Sequence, residues 1–150
     1  MKRSNDLSRK PARVALISIQ PTFVKKILAG EKVVEFRRRW TPNHVDMLVV
    51  YSSSPVRRLV LVARVAKVVE APRGRLWDLA KRKGGGVTRK KLFDYMAGKA
   101  KGYAIELEEI IRFKTGLDPK RLFEGFRAPQ SFRYLSEDEY DTIVEAIPQS

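Results

Sequence analysis

The 150-residue chain contains no cysteine. That excludes a disulfide framework, a thiolate zinc site and a cysteine nucleophile, and it fits a protein of the reducing cytoplasm. Histidine is almost as scarce: His44 stands alone, in the loop Thr41-Pro42-Asn43-His44. One histidine without cysteine does not build a structural zinc site, and no serine–histidine–acid triad forms around it. His44 therefore reads as incidental, and neither a metal nor a cofactor is expected. No apolar run approaches the roughly 18 residues of a membrane helix, so no membrane contact is expected. The opening MKRSNDLSRKPAR lacks the apolar segment of a secretory signal. Acidic residues are also few, 17 against 31 lysines and arginines.

What is present is positive charge. The net charge is +14 and the isoelectric point is near 10.3. Such a field gathers polyanions, and nucleic acid is the commonest of these. The charge is unevenly placed. Between residues 57 and 91, twelve lysines and arginines face only Glu70 and Asp78, while the last fifteen residues hold five acids and no base. A basic middle and an acidic tail favour one oriented binding face.

Residues 1–13 read as a flexible basic arm, and residues 14–150 as one domain. Val14 to Ile19 is a short buried strand. Pro21 suits the first turn of a helix whose apolar stripe is Phe23, Val24, Ile27 and Leu28, and Gly30 stops it. Lys32 to Arg38 forms a second strand, with Val34 and Phe36 on one face and Val33, Glu35 and Arg37 on the other. Met47 to Ser53 is a third strand. Arg58 to Val69 is long and apolar on both faces, which suits a central position. A short helix follows around Leu76 to Ala80. Then come the break Gly84-Gly85-Gly86 and a helix that Thr88 caps and Gly98 ends. Gly84-Gly85-Gly86 with Lys83 and Arg89 is no Walker loop and reads as a mobile basic loop.

Tyr103 to Phe113 alternates, with Tyr103, Ile105, Leu107, Ile111 and Phe113 on one side and Glu106, Glu108 and Arg112 on the exposed side. A turn is expected at Gly116 and Asp118-Pro119. A final helix spans 136–147, opened by a capping box of Ser136 and Glu139 and a staple of Leu135 and Tyr140. The pattern is α+β: a small mixed β-barrel of five or six strands with flanking helices.

Several segments resemble the ASCH domain, a member of the PUA-like superfamily, and most closely its larger prokaryotic and archaeal members. The most specific is Ser18-x-x-Pro21 followed by Ile27-Leu28-Ala29-Gly30-Glu31-Lys32-x-x-Glu35-Phe36-Arg37. Tyr51-x-Ser53-x-Pro55, Gly102-Tyr103-Ala104-Ile105 and Pro129-Gln130-Ser131-Phe132 extend the likeness over roughly residues 14–135. The resemblance implies a PUA-like barrel with a cleft beside the first helix. It also implies RNA binding, in some members with a regulatory, coactivator-like role. A few members act as ribonucleases, and one branch deacylates N-acylated cytidine with a lysine, a threonine and a glutamate. Lys32 matches that lysine, Glu35 stands where the threonine falls, and Glu70 is the candidate for the glutamate.

The expected function is therefore binding of RNA or single-stranded nucleic acid in a basic cleft. The alternative is a metal-independent hydrolase on the same scaffold, a ribonuclease or N-acylcytidine amidohydrolase. Lys32 and Glu35 are the candidate catalytic pair: Lys32 as phosphate ligand or base, Glu35 as acid or base. In a regular strand the two point apart, so their meeting needs a bend. Arg37 and Arg38, with Trp40 as a stacking plane, and Arg57, Arg58 and the lysines and arginines of residues 81–91 are expected on phosphates and bases. Tyr51 and Ser53 offer hydroxyls in a turn, and Gln130 and Ser131 are placed to read a base edge.

Overall fold

The structure is a computed structural model and describes Leu7 and residues 10–147. Most of the proposed arm, residues 1–6, 8 and 9, lies outside the described residues, as do the last three residues of the chain. Where the arm is described, it is tied down. The Ala12 and Arg13 amides donate to the Asp46 carboxylate at 2.9 and 2.8 Å, and Lys10 lies 3.7 Å from Glu137 and 3.6 Å from Asp141.

The elements run β1 (Val14–Ile19), α1 (Pro21–Leu28), β2 (Val34–Arg37), β3 (Met47–Ser52), β4 (Arg58–Ala71), α2 (Arg73–Lys83), α3 (Arg89–Tyr95), β5 (Gly102–Leu117), α4 (Pro119–Leu122), β6 (Phe132–Leu135) and α5 (Glu137–Ala146). All six strands form one mixed sheet in the order β2-β5-β4-β3-β1-β6. Among the described residues only β1 and β3 pair in parallel. The α+β architecture follows the sequence reading, as does the central place of β4.

Three buried clusters hold the sheet. Ile17, Leu48, Val50, Leu61 and Ile105 pack with Val24 and Ile27 of α1 on one face. Leu16, Val49, Leu59 and Phe113 pack with Tyr140 and Ile143 of α5 in a second cluster. The α2–α3 pair lays Leu76, Leu79, Leu92 and Met96 against Val34, Phe36 and Ala104. Burying each such side chain contributes roughly 1.5–3 kcal/mol before entropy is counted. The capping box of α5 is formed: the Ser136 hydroxyl accepts from the Glu139 amide at 3.1 Å, and the Glu139 carboxylate accepts from the Ser136 amide at 2.9 Å.

Two expectations about β5 are corrected. Its alternation is interrupted at Glu109, whose φ is +49°. Register shifts against β4 accompany this irregularity. Ile105 and Leu107 therefore face one cluster, while Ile111 and Phe113 face another. Gly116 is no turn but part of the strand, which runs on to Leu117. The turn falls at Asp118, whose carboxylate caps α4 by accepting from the Lys120 amide at 3.0 Å.

The sheet curls as the expected barrel would but is not closed by strand pairing: among the described residues no backbone ladder joins the edge strands β2 and β6. Side chains at and beyond their ends meet instead. The Trp40 ring packs on Phe132 with centroids 4.7 Å apart. The Thr41 and Tyr134 hydroxyls are hydrogen-bonded, and Asn43 Nδ2 donates to Tyr134 at 3.0 Å. Arg37 reaches the Ser131 carbonyl at 3.5 Å. The curled sheet thus has a seam, and the candidate site lies at one end of it.

Candidate functional site

The site begins where α1 ends. Gly30 takes φ +80°, a conformation that costs glycine little. The Glu31 and Lys32 amides then both donate to the Lys26 carbonyl, at 2.9 and 3.1 Å. The chain is therefore still turning at Lys32, and β2 starts two residues later. This is the bend that brings Lys32 and Glu35 together: Lys32 Nζ lies 3.5 Å from Glu35 Oε1.

Lys32 is only 2% exposed. Its ammonium donates to the Gly85 carbonyl at 2.7 Å and lies over the rings of Phe23 and Phe36 at 5.2 and 5.3 Å. Removal from water lowers its pKa from the ordinary 10.5; Glu35 opposes that shift, while Arg37 and Lys26 add to it. The glycine triplet is thus no free basic loop. Its three carbonyls accept from the Val33 amide at 2.8 Å, from Lys32, and from Lys26 Nζ at 3.1 Å. A Cβ on Gly85 would lie 2.5 Å from Ala80 Cβ, and one on Gly86 would lie 2.8 Å from Lys32 Cβ. Glycine is there because the lysine stem and α2 leave no room for a side chain.

Glu35 and Arg37, both 8% exposed, continue the chain of charge. Glu35 Oε2 accepts from Arg37 Nε at 3.0 Å and lies 2.9 Å from NH2. The same guanidinium donates to the Ser18 carbonyl of β1 at 2.6 Å. One arginine therefore links β2, β1 and the segment before β6.

These groups open on a cavity of about 560 Å³. Lys32, Glu35, Arg37, Ser53 and Gln130, each a candidate from the sequence, line it, whereas Tyr51, expected beside Lys32, Glu35 and Gln130, does not. Lys91, one of the bases of residues 81–91 expected on phosphates, lines it as well, and so do Ser18, Gln20, Phe23, Phe36 and Tyr95, which were not among the candidates. Phe23 was read only as core. Lys91 and Tyr95 sit on one side of α3, a helix the sequence located but could not dock.

The other candidates lie off the wall. Arg38 NH1 donates to the Tyr95 and Ala97 carbonyls at 2.6 and 2.9 Å, fastening the end of α3. Trp40, 8% exposed, belongs to the core cluster of α1, because its indole fills the seam rather than facing solvent. Tyr51 is equally buried in the α5 cluster, against Phe126 at 5.5 Å. Ser131 meets Arg37 through its carbonyl. Arg58 NH1 donates to the Arg57 carbonyl at 2.9 Å, and neither arginine lines the cavity. Glu70 accepts from the Tyr103 hydroxyl at 3.2 Å, also off the cavity wall. Glu106, expected on an exposed face, is 8% exposed and lies 3.4 Å from Lys83. Among the described residues no cluster of His, Cys, Asp and Glu is suited to hold a metal, and no helix is long and apolar enough to cross a membrane.

The arrangement has known counterparts. Residues 17–115 match the family model of the ASCH domain. A protein of Zymomonas mobilis named as an ASCH domain-containing ribonuclease is 30% identical over 138 residues, covering 90% of this chain and 93% of the relative. A crystal structure of ASCH from Zymomonas mobilis superimposes with a TM-score of 0.83 at 27% identity, covering 91% of this chain and 96% of the other. A serine-to-alanine mutant of the Zymomonas protein gives 0.82 at 27% identity, covering 93% and 100%.

Proposed function

The chain belongs to the ASCH domain family, and on that premise we propose that it is a cytoplasmic protein that binds single-stranded RNA, seating one nucleotide in the cavity between α1, β2 and α3. The observation that carries this reading is the buried Lys32–Glu35–Arg37 set opening on a cavity of about 560 Å³, within the range of small-ligand sites. Phe23 and Phe36 give the cavity an apolar wall for a base. Gln130 and Ser53 offer amide and hydroxyl groups to its edge. Lys91 stands exposed at the rim for a phosphate. Arg57 and Arg58 and the other bases of the middle segment hold the flanking backbone.

The test is a salt titration of RNA affinity. The logarithm of the binding constant falls against the logarithm of salt with a slope of about −0.7 per phosphate neutralised on a single strand. Gln130→Ala and Lys91→Ala each weaken binding several-fold with the melting temperature unchanged. Affinity that is flat between low and moderate salt overturns the reading.

A second reading, ribonuclease activity, is favoured by the name of the Zymomonas relative and by the lowered pKa of Lys32. A base at Lys32 or Glu35 would take the proton of a ribose 2′-hydroxyl. That oxygen would attack the adjacent phosphorus, and the 5′-oxygen would leave with a proton from the partner acid. The products are a 2′,3′-cyclic phosphate and a 5′-hydroxyl. Deacylation of N-acylcytidine fits less well, since Glu35 stands where a hydroxyl nucleophile would be needed. Labelled RNA and N-acylated cytidine, each incubated with the wild type and Lys32→Met, separate these readings. Turnover equal in the two proteins removes the catalytic role.

A further inference from the structure

The helices α2 and α3 carry a second feature outside the cavity. Arg73, Trp77 and Lys81 are spaced four apart on α2 and so share one side of it. Arg89 and Phe93 share one side of α3 in the same way. The two stripes meet, because the guanidinium groups of Arg73 and Arg89 both lie over the Phe93 ring, at 4.6 and 4.1 Å. Arg73 NH1 is also aimed at the Phe93 carbonyl, at 3.4 Å. Further along, Lys81 Nζ lies 6.0 Å from the Trp77 ring. Read in order, Arg89, Phe93, Arg73, Trp77 and Lys81 form a ribbon in which cations and rings alternate.

Its basic members are exposed and its rings half-buried. Of the nearby acids, Asp94 is paired outside the ribbon, 2.8 Å from Lys90, and Asp78 lies 3.8 Å from Lys81 at the ribbon's end, which leaves Arg73 and Arg89 as its main charges. The ribbon runs about 12 Å along α2 at the helical rise, which is the rise of three to four stacked bases at about 3.4 Å each. The pocket lies on the other side of the same α3, through Lys91 and Tyr95.

We propose that this ribbon is a stacking track for single-stranded RNA, receiving the nucleotides that flank the one in the pocket. It rests on the reading of the pocket as a nucleotide site and extends it from one nucleotide to a strand. Planar guanidinium groups held against a ring present flat faces to bases and charge to phosphates together. A duplex, with its bases stacked inside, gains only the charge, and an acidic protein gains no stacking at all.

The test compares a fluorescein-labelled trinucleotide with a single-stranded dodecamer. Wild type binds the dodecamer about tenfold or more tightly than the trinucleotide. The double variant Arg73→Ala/Arg89→Ala loses most of that gain and leaves trinucleotide affinity within about twofold. Arg73→Lys/Arg89→Lys keeps the charge but not the planes and recovers only part. Dodecamer binding quenches Trp77 fluorescence, with buried Trp40 as a constant background. The proposal is overturned if the alanine variant binds the dodecamer as wild type does. It is also overturned if the lysine variant equals wild type, or if a duplex of the same length binds as tightly. Trinucleotide binding that is absent in wild type defeats the pocket reading alone; a dodecamer affinity that still falls in the alanine variant upholds the track.

Discussion

The ammonium of Lys32 donates a 2.7 Å hydrogen bond to the carbonyl oxygen of Gly85, fifty-three positions further along the chain. This contact joins the turn after α1 to the turn after α2 and fixes one wall of the cavity. It also explains why three glycines stand in a row, since side chains at the second and third would collide with their surroundings.

Gly85→Ala is therefore expected to cost about 1–3 kcal/mol through overpacking. Gly86→Ala adds the strain of a positive φ, about 1–2 kcal/mol. Gly74→Ala is the control: a Cβ there meets nothing within 4 Å, so it stabilises by up to about 1 kcal/mol. Urea midpoints of the three variants measure this. Equal midpoints for Gly74→Ala and Gly85→Ala would refute the account of the cradle.

Lys32→Ala would leave a cavity in a packed site and cost roughly 2–5 kcal/mol. Lys32→Met keeps most of the volume and costs markedly less, which makes it the better probe of function. The two differ in unfolding free energy, and a smaller loss for alanine than for methionine contradicts the burial of this stem.

The depressed pKa of Lys32 has a signed consequence. Between its lowered value and 10.5, the unfolded chain holds the proton that the folded protein releases. The contribution of this group to stability therefore rises with pH across that window, and its charged form costs most below it. Unfolding free energies of wild type and Lys32→Met, compared from neutral pH towards 10.5, should shift in favour of wild type. A constant difference would show that burial leaves the titration unmoved.

Arg37→Lys keeps the charge but cannot hold Glu35 and the Ser18 carbonyl in one fork. A loss of roughly 1.5–3 kcal/mol is expected, the scale of one hydrogen bond to a charged group. Chemical denaturation checks it, and a neutral outcome would mean that the link across the seam is dispensable.

Arg38→Ala should cost less, roughly 0.5–1.5 kcal/mol, because the two carbonyls at the end of α3 that lose their donor are reached by water. It should leave the salt slope of RNA binding unchanged. A slope smaller by about one phosphate contact would instead assign Arg38 to the nucleic acid backbone.

Much of the fold was legible because local rules pointed one way. Pro21 and Gly30 bracketed α1, the box of Ser136 and Glu139 marked α5, and the apolar run of β4 announced a central strand. Glu109 was illegible, since a positive φ at glutamate answers to tertiary pairing. The cavity was half legible. Lys32, Glu35, Arg37, Ser53 and Gln130 carry polar chemistry that stands out in a sequence. Phe23 and Tyr95 do not, because a ring on a helix looks alike whether it faces a core or a ligand. Trp40 and Tyr51 show the reverse error: each sits beside polar neighbours, yet packing claims its ring.

The seam between β2 and β6 has a mechanical consequence. A cylinder closed by strand pairing must unzip to let anything wide through its wall. Here ring packing, hydroxyls and one guanidinium span the gap beside the pocket, and among the described residues no sheet hydrogen bond crosses it. Substitutions at these side chains therefore alter the wall beside the buried charges and leave the ladders of the scaffold in place.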